Sequence, residues 1–390
     1  MLPTSVWIGR FRSTLRCWKR WRGSDVNILF VCKRYYTAKD VIRDQFGRLY
    51  EIPRQLSALG HQVTVLCLDY RGKDPVASAG QQLGGNGVRW LVVSLRDVLR
   101  MRFRAINKQL KGLAPDVVVG SSDIPCLWLS RLLARRERVP YIVDLYDNYQ
   151  SFGQARIPGF RHALRLSIRD ARGVIAVSGP LKEKVVRDFA PKAPVVVLNN
   201  GISRSVFCEG DRLKARNALG LPLEAHLIGT AGNLSAMKGL DTVYAAWPAL
   251  ESVADDLYLV LAGKVDPELP VPSSARVIYL GELAEHQVAE LFRALDLGII
   301  PAHDSEFGRY CFPQKLFEMV GCGLPVVAAR VGAIAETLQA FPQLLFTPGD
   351  ADSLRLAVTS QLARAHHVPV AVDEWPDLVK RIDQLISQVV

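Results

Sequence analysis

Two series of short apolar runs, one on each side of residue 200, constrain the fold of this chain more than any other feature. Each run is rich in Val, Ile and Leu, and helical stretches separate it from the next. Near-continuous apolar strands that alternate with helices indicate parallel sheets covered on both faces. The runs before residue 200 are VNILFVC (26–32), HQVTVLCL (61–68), VRWLVVS (88–94), DVVVGSS (116–122), YIVDLYD (141–147), GVIAVS (173–178) and PVVVLNN (194–200), and those after it are HLIGTAG (226–232), LYLVLAG (257–263), RVIYLG (276–281), LGIIPA (297–302), PVVAA (325–329) and LLFT (344–347).

A second series of apolar strands and helices begins after residue 200. The two series predict an α/β protein with two Rossmann-like, parallel-sheet domains. A length of 390 residues also suggests two or three domains. Because open parallel sheets bind ligands at the carboxyl ends of their strands, two facing domains predict a ligand cleft. The expected segments are a basic N-terminal arm at 1–24, a first domain at 25–200, a second domain at 201–373 and an amphipathic terminal helix at 374–390, with further helices at 47–60, 239–250, 285–295 and 313–320.

Positive charge is concentrated in the first half of the chain. Residues 1–200 contain 34 Lys or Arg and 15 Asp or Glu, a net +19, whereas residues 201–390 contain 15 and 23, a net −8. This asymmetry indicates that the first half faces nucleic acid, a membrane surface or a phosphorylated acceptor. Basic residues that only maintain solubility are the alternative interpretation.

The first 24 residues have the pattern of a basic amphipathic helix. They contain six Lys or Arg and no acid, and Trp7, Phe11, Leu15 and Trp18 form one apolar stripe. Such a helix favours an anionic membrane surface, and a disordered tail is the alternative. A second basic amphipathic stretch, LRDVLRMRFRAINKQLKG, occupies residues 95–112.

Cysteine usage and hydropathy predict a cytoplasmic protein. The seven cysteines are scattered without a CxxC pair, which argues against a disulfide framework or a zinc site. No run reaches the roughly 18 apolar residues of a membrane span, and the start has no secretory apolar core. The basic arm adds an expectation of peripheral association with the cytoplasmic face of the membrane.

The stretch GTAGNLSAMKGLD (229–241) predicts a contact with phosphate. A turn with Gly232 and Asn233 follows a strand directly, and Lys238 precedes the next helix. Glycine lets the backbone approach a ligand closely, and lysine supplies a point charge for phosphate. A turn lysine in solvent is the alternative.

The stretch CFPQKLFE (311–318) predicts a second contact, at the start of a helix. Pro313 suits the first helical position, so the N–H groups of residues 314–316, including those of Lys315 and Leu316, would be free to bind an anion. One turn further, the carboxylate of Glu318 can accept two hydroxyl donors, as from a ribose diol. A surface glutamate beside Lys315 is the alternative, which the apolar neighbours disfavour.

Taken in order, these motifs resemble the retaining glycosyltransferases of family 4, the "group 1" family with the GT-B fold. The resemblance extends from about residue 26 to 360. No single matching piece is specific for the family, but the pieces together, in this order, are. The matching pieces are GRLYEIPRQLSALGHQVTVL, GVIAVSGPLKEKVV, VVVLNNGISRSVF, GNLSAMKGLDTV, VIYLGEL, LFRALDLGIIPA and FPQKLFEMVGCGLPVVAARVGAIAE.

The resemblance implies specific roles for several residues. Lys238 would contact the diphosphate of a nucleotide-sugar donor, and Glu318, as the second glutamate of the family's E-x7-E motif, would bind the donor ribose. Gly47 falls in the family's first glycine loop, and Gly332 and Glu336 resemble a later loop. The first domain would then bind the acceptor and the second the donor, with the terminal helix crossing back to the first domain.

Two departures from the family pattern affect the donor site. Asn233 replaces an arginine that often precedes the lysine by five positions. Tyr310 stands where the first glutamate of E-x7-E is expected, and Glu306 is nearby but out of register. Neutralisation of phosphate charge is therefore expected from Lys238 together with Lys315 or Arg309.

A third departure affects the acceptor side, where Tyr146 replaces a histidine that often precedes the aspartate, here Asp147. The family's usual proposal is front-face attack in which the leaving phosphate removes the acceptor proton, so no strong side-chain base is required. Asp147, near Asp144 and Asp123 at strand ends, is our candidate for orienting the acceptor hydroxyl, and a structural cap is the alternative. No metal or other cofactor is expected, because the acidic pairs at 266–268 and 350–352 suit turns and helix caps.

The resemblance implies a retaining hexosyltransferase that uses a nucleotide sugar and a lipid-linked or glycan acceptor in surface polysaccharide or glycolipid synthesis. A catalytically inactive homologue that serves as a subunit or scaffold is the alternative. A nicotinamide-dependent oxidoreductase is disfavoured because VCKRYYTAK, not G-x-G-x-x-G, follows the first strand. Nucleic-acid binding is disfavoured because no RNP-like or helix-turn-helix pattern is present.

Overall fold

A computed structural model describes residues 25–36, 39–71, 87–96, 106, 110–369 and 373–390. The predicted N-terminal arm at 1–24 and most of the basic stretch at 95–112 lie outside these residues.

The first sheet has seven strands in the order β5-β4-β1-β6-β7-β8-β9. The pairings of β1 with β4 and β6, of β4 with β5 and of β6 with β7 are parallel. A short antiparallel hairpin, β2–β3, follows β1. The strand bounds are β1 Asn27–Lys33, β2 Tyr35–Tyr36, β3 Lys39–Asp40, β4 Gln62–Asp69, β5 Arg89–Ser94, β6 Val117–Ser121, β7 Tyr141–Leu145, β8 Gly173–Ala176 and β9 Val195–Val197.

The second sheet has six strands in the order β12-β11-β10-β13-β14-β15, and all of its pairings are parallel. Its strand order reverses at β10, the position where open α/β sheets bind ligands. These two sheets confirm the predicted α/β fold. The bounds are β10 His226–Ala231, β11 Leu257–Ala262, β12 Val277–Tyr279, β13 Leu297–Ile300, β14 Val326–Ala329 and β15 Leu345–Phe346.

The burial of the strands explains why their sequences are apolar throughout. Every residue of β13 and β14 is buried, because both faces of the second sheet are covered. The edge strand β12 is only partly buried, and its Tyr279 is 44% exposed. Apolar sequence throughout therefore agrees with the full burial of these central strands.

Helices connect the strands, and the described ones agree with the periodicity of the sequence. One prediction is wrong in detail: Pro313 is the N-cap residue, and the helix begins at Gln314. The helix bounds are α1 Arg48–Ala58, α2 Ile124–Glu137, α3 Phe160–Asp170, α4 Gly179–Phe189, α5 Arg212–Leu219, α6 Leu240–Glu251, α7 Glu285–Ala294, α8 Glu306–Tyr310, α9 Gln314–Gly321, α10 Gly332–Thr337, α11 Ala351–Ala363 and α12 Trp375–Val389.

The chain divides into two compact units. The first consists of the residues up to Asp144 together with His162–Val174 and Val379–Val390, and the second of Leu145–Arg161 and Ile175–Leu378. Helix α12 contributes residues to both units. Within the first unit, Leu385 of this helix lies over Gly173, and the carboxylate of Asp383 is 2.9 Å from Nε2 of His61. The domain boundaries expected from the sequence stay a prediction.

Candidate anion-binding site of the second sheet

The loop after β10 forms the floor of the candidate site. Gly232 follows the strand with φ +123°, a conformation that favours glycine. Its N–H donates to the carbonyl of Ala262 (2.9 Å), and a Cβ atom on the neighbouring Gly263 would overlap the carbonyl of Gly232. Asn233, the next residue, is exposed. The two strand-end loops are thus packed too closely for side chains, which leaves backbone accessible at the edge of the sheet.

Lys315, in the first turn of α9, reaches back over Gly232. Its Nζ lies 3.4 Å from the position that a Cβ on Gly232 would occupy. Burial of the ammonium, together with the like charge of Lys238, lowers the pKa of Lys315 from 10.5 to about 8, against the opposing charge of Glu318. A bound anion would stabilise the charged form of this ammonium group.

Lys238 provides the second cation. It ends a 3-10 turn, Ala236–Lys238, that precedes α6, and its Nζ lies 3.7 Å from the centre of the Phe307 ring. Burial lowers the pKa of Lys238, while the charges of Cys311 and Asp147 oppose this change. The alternative of a lysine free in solvent is therefore wrong, because the ammonium packs on an aromatic ring close to Lys315.

Glu318 lies on α9, three residues after Lys315. It is half-buried. Burial raises the pKa of Glu318 to about 7, and the charge of Glu285 adds to the effect, whereas a hydrogen bond from Gln314 and the charge of Lys315 oppose it. A carboxylate in this environment is not a solvated surface group, and a ligand that donates hydrogen bonds would stabilise its charged form.

The start of α9 offers fewer free N–H groups than the sequence predicted. The amide of Gln314 donates to the carbonyl of Phe312 (3.0 Å), and that of Leu316 donates to Pro313 (3.0 Å). The side chain of Leu316 is fully buried in the core. The prediction that the amides of residues 314–316 are all free is therefore wrong at two positions.

Arg309, the other candidate cation, forms an ion pair with a neighbouring aspartate. Its guanidinium is bound to the carboxylate of Asp304 at 2.5 and 2.9 Å. This hydrogen bond raises the pKa of Arg309. Of the two candidates for a second cation, the structure brings Lys315, not Arg309, next to Lys238.

Tyr310 faces α4. Its carbonyl accepts a hydrogen bond from the hydroxyl of Ser178 (3.0 Å), and Nζ of Lys184 lies 5.1 Å from its ring centre. Arg187 of the same helix donates to the Tyr310 hydroxyl. Tyr310 thus anchors α8 to α4.

Sequence reasoning missed two features of this region. Phe307 supports Lys238, and Glu306 accepts a hydrogen bond from the side-chain amide of Asn148 (2.8 Å) and lies 3.8 Å from Nζ of Lys184. The available signal was the polar stretch HDSEFG (303–308) directly after β13, since polar residues at the carboxyl end of a parallel strand often serve ligands.

Asp147 lies near the cations, but Asp144 and Asp123 have structural partners. Asp147 acts on the charge of Lys238, and its Oδ1 accepts the N–H of Asn148 (2.7 Å). Asp144 is buried and bound to the guanidinium of Arg48 (2.7 Å). Asp123 caps α2 and also accepts the Tyr70 hydroxyl (2.7 Å).

The remaining loop glycines have close backbone or ring neighbours. Gly47, in the first unit, has φ +73°, and a Cβ there would lie 2.9 Å from the Tyr36 ring. Gly332 has φ +50°, and a Cβ there would overlap the carbonyl of Arg309. The carboxylate of Glu336 lies against Gly179, the first residue of α4.

The acidic pairs that were expected to cap turns do so. Asp266 accepts the N–H of Glu268 (3.1 Å), and Asp350 caps α11 by accepting the N–H of Ser353 (2.9 Å). Within the described ranges, no cluster of three His, Cys, Asp or Glu residues is arranged to hold a metal ion. None of the helices that the structure describes is long and apolar enough to cross a membrane.

The two parallel α/β sheets place the chain in the class of glycosyltransferases with a GT-B fold. Family models agree: "Glycosyl transferase 4-like domain" matches residues 48–201, and "Glycosyl transferases group 1" matches residues 225–364. The chain belongs to the group 1 glycosyltransferases.

One relative and two solved structures show what this chain is similar to. The putative teichuronic acid biosynthesis glycosyltransferase TuaC of Bacillus subtilis is 23% identical over 78% of this chain and 82% of that protein. Sucrose-phosphate synthase of Thermosynechococcus elongatus has a TM-score of 0.71 at 18% identity, covering 93% and 98% of the two chains. Anabaena Alr3699/HepE, solved in complex with UDP-glucose, has a TM-score of 0.65 at 19% identity, with the same coverage. At these identities the solved structures establish the fold alone.

Proposed function

We propose that this glycosyltransferase moves a hexose, with retention of configuration, from a nucleoside-diphosphate sugar to a lipid-linked or glycan acceptor in surface polysaccharide or glycolipid synthesis. The observation that carries the proposal is the position of the Lys315 ammonium over Gly232, where the like charge of Lys238 also acts on it. Two ammonium groups that repel each other in the free protein suit a ligand with two adjacent negative charges. A diphosphate has this charge, and similarity to a protein solved with UDP-glucose supports the choice.

The two lysines would act on the leaving group. When the bond between the sugar C1 and the diphosphate oxygen breaks, negative charge increases on that oxygen. Ammonium groups fixed beside it stabilise this charge without reorganisation. In the proposal, Lys238 on the Phe307 ring and Lys315 over Gly232 take these positions before the donor arrives, which the contacts of the two ammonium groups support.

Glu318 and Asp147 would position the substrates. In the proposal, Glu318 accepts hydrogen bonds from the two ribose hydroxyls and thereby fixes the register of the nucleotide. Asp147, which interacts electrostatically with Lys238, orients the acceptor hydroxyl. The acceptor oxygen forms a bond to C1, and its proton passes to the departing phosphate oxygen, so the step requires neither a strong side-chain base nor a metal.

The proposal includes peripheral binding to an anionic membrane surface. The net charge of +19 on residues 1–200 supports it. Deletion of residues 1–24 with neutralisation of the arginines between 96 and 111 should weaken binding to anionic liposomes. Unchanged binding would refute the role of these segments.

A thermal-shift screen of nucleotide sugars, followed by transfer assays, tests the proposed function. A donor at 100 times its dissociation constant should stabilise the protein by about 2.7 kcal/mol. Glu318→Ala and Lys238→Ala should each reduce both the shift and the transfer. Full donor binding and transfer in both variants would refute the site, and binding without transfer to any acceptor would favour the inactive homologue.

A further inference from the structure

An imidazole–carboxylate pair joins the segment that follows β10 to the loop that follows β13. Nε2 of His303 lies 2.8 and 3.0 Å from the two carboxylate oxygens of Asp241. An ionised carboxylate only accepts hydrogen bonds, so Nε2 carries the proton and donates to Asp241. The two side chains are 32% and 41% exposed, and a pair this open to solvent adds little to stability. What the pair does fix is the distance between the two segments that carry it.

Asp241 stands close to Lys238 along the chain. It is the second residue of α6, and two residues separate it from Lys238. The N–H of Lys238 donates to the carbonyl of Ser235 (3.0 Å), and Gly239 has φ +79°, a conformation that favours glycine. Because this turn is short and hydrogen-bonded, holding Asp241 also holds the backbone of Lys238.

His303 is packed against the short helix that carries Phe307. Its carbonyl accepts the N–H of Ser305 (2.9 Å), and a Cβ atom on Gly308 would overlap the same carbonyl. The hydroxyl of Ser305 in turn accepts the N–H of Gly308 (3.1 Å) and caps α8. These contacts connect the backbone of His303 to α8, and hence to Phe307.

The two segments also touch directly. A Cβ atom on Gly239 would lie 2.8 Å from the backbone nitrogen of Ala302, so backbone packs on backbone there. Further along the same segments, Nζ of Lys238 lies 3.7 Å from the centre of the Phe307 ring. The imidazole–carboxylate pair is therefore the third contact between these segments. The helix dipole favours an acid in the first turn, which accounts for Asp241 but not for its imidazole partner.

We propose that His303 and Asp241 are positioning residues for Lys238. Their hydrogen bond fixes the turn before α6 against the loop before α8 and so holds the Lys238 ammonium at the Phe307 ring. Within the described part of the chain, the charges that stabilise this ammonium come from Cys311 and Asp147, so Asp241 acts on it through position. The inference rests on the proposed function only for the ligand, a donor diphosphate, because the position of the ammonium is a property of the free protein.

The position of the Lys238 ammonium is measured first, in the full-length protein without ligand. Carbon–proton NMR spectra of protein with isotopically labelled lysine resolve the ε-methylene groups, and Lys238→Arg identifies the Lys238 signal. Protons over the face of an aromatic ring resonate upfield, so this signal should lie upfield of that of Lys214, whose side chain is 86% exposed. Phe307→Leu should abolish the upfield shift, and a wild type without such a shift would contradict the proposal.

Variants of the pair test its role in this position. Asp241→Ala and His303→Ala should each move the Lys238 signal to the position of the Lys214 signal. Asp241→Asn keeps an oxygen that accepts the Nε2 proton of His303, so it should retain most of the upfield shift. An unchanged Lys238 signal in either alanine variant, or equal loss in Asp241→Asn and Asp241→Ala, would overturn the proposal.

The matched control is Asp256→Ala. It removes another carboxylate beside an imidazole, that of His226 (3.9 Å), at the opposite end of β10 from the Lys238 turn. The Lys238 signal should not change in this variant. A change as large as that in Asp241→Ala would show a general disturbance of the second unit and would also overturn the proposal.

Donor binding separates positioning from general disruption. Calorimetric titrations compare UDP, ADP and GDP with the corresponding nucleosides at pH 7.5. Asp241→Ala should reduce the preference for the diphosphate by about tenfold, the lower end of what a hydrogen bond from a charged group contributes, and leave the affinity for the nucleoside unchanged. Equal weakening of both ligands would show a merely structural role and overturn the proposal. Absence of a diphosphate preference in the wild type would refute the proposed function, while the NMR result would stand.

Discussion

Replacing Lys315 by Met removes an ammonium group while keeping a side chain of similar length. In the ligand-free protein, burial and then the charge of Lys238 lower the pKa of Lys315 from 10.5 to about 8. At 1.36 kcal/mol for each pKa unit, keeping this group charged at pH 7 costs the folded state about 3 kcal/mol. Lys315→Met should therefore stabilise the free protein.

The net gain should be smaller than this electrostatic cost. The variant also loses the attraction between Lys315 and Glu318, which holds down the pKa of that glutamate. We expect a net stabilisation of about 1–2 kcal/mol, which raises the melting temperature by about 4 °C in a domain of this size. The same variant should lose the thermal shift induced by a nucleotide sugar, because the group that destabilises the free site binds the donor.

The dependence on pH makes this prediction specific. Lys315 titrates at about 8 in the folded protein and at about 10.4 in the unfolded chain. Between these values the unfolded state binds more protons, so the stability of the wild type rises with pH. The advantage of Lys315→Met should thus be full below pH 8 and shrink as the pH rises towards 10.

Thermal denaturation at pH 7 and pH 9.5 provides the assay, with Lys214→Met as the control. The side chain of Lys214 is 86% exposed, so its replacement should change the melting temperature little at either pH. A lower melting temperature for Lys315→Met, by the same amount at both pH values, would refute the reasoning, since it would show that the ammonium stabilises the fold.

Three further predictions concern the same site. Gly232→Ala should cost about 1–3 kcal/mol of stability through backbone strain and weaken donor binding, because its methyl group would lie 3.4 Å from the Lys315 ammonium and occupy space beside it. The control for strain alone, in thermal and calorimetric assays, is Gly112→Ala, at φ +82° with no atom within 4 Å. Donor affinity of the wild type should increase as the pH rises through about 7, where Glu318 ionises, and Glu318→Gln should abolish this increase in calorimetric titrations. Asp147→Asn should lower the transfer rate while donor affinity stays equal or improves, because a negative charge near Lys238 is removed; a parallel loss of both would contradict the assigned role.

Much of the fold follows from local sequence. The strand bounds agree with the apolar runs to within a few residues, because central strands of covered parallel sheets are buried along their whole length, as β13 and β14 show. Lys238 and Lys315 could be proposed as partners because each lies directly after the end of a strand or at the start of a helix. Parallel topology brings such positions to one edge of the sheet.

Other features depend on contacts that sequence does not specify. The pairing of Arg309 with Asp304, which removes this arginine from the list of free cations, depends on the path of the loop before α8. The bonded amides of Gln314 and Leu316 reflect the local turn at Pro313.

Calorimetric titration of nucleoside diphosphates tests the central claim, that Lys238 and Lys315 together hold a diphosphate. UDP, ADP and GDP are each compared with the corresponding nucleoside, in the wild type and in Lys238→Met/Lys315→Met at pH 7.5. Hydrogen bonds to charged groups contribute about 1.5–3 kcal/mol each, so the wild type should prefer one diphosphate over its nucleoside by more than about 100-fold. This preference should disappear in the double variant, and a double variant that retains it would contradict the claim.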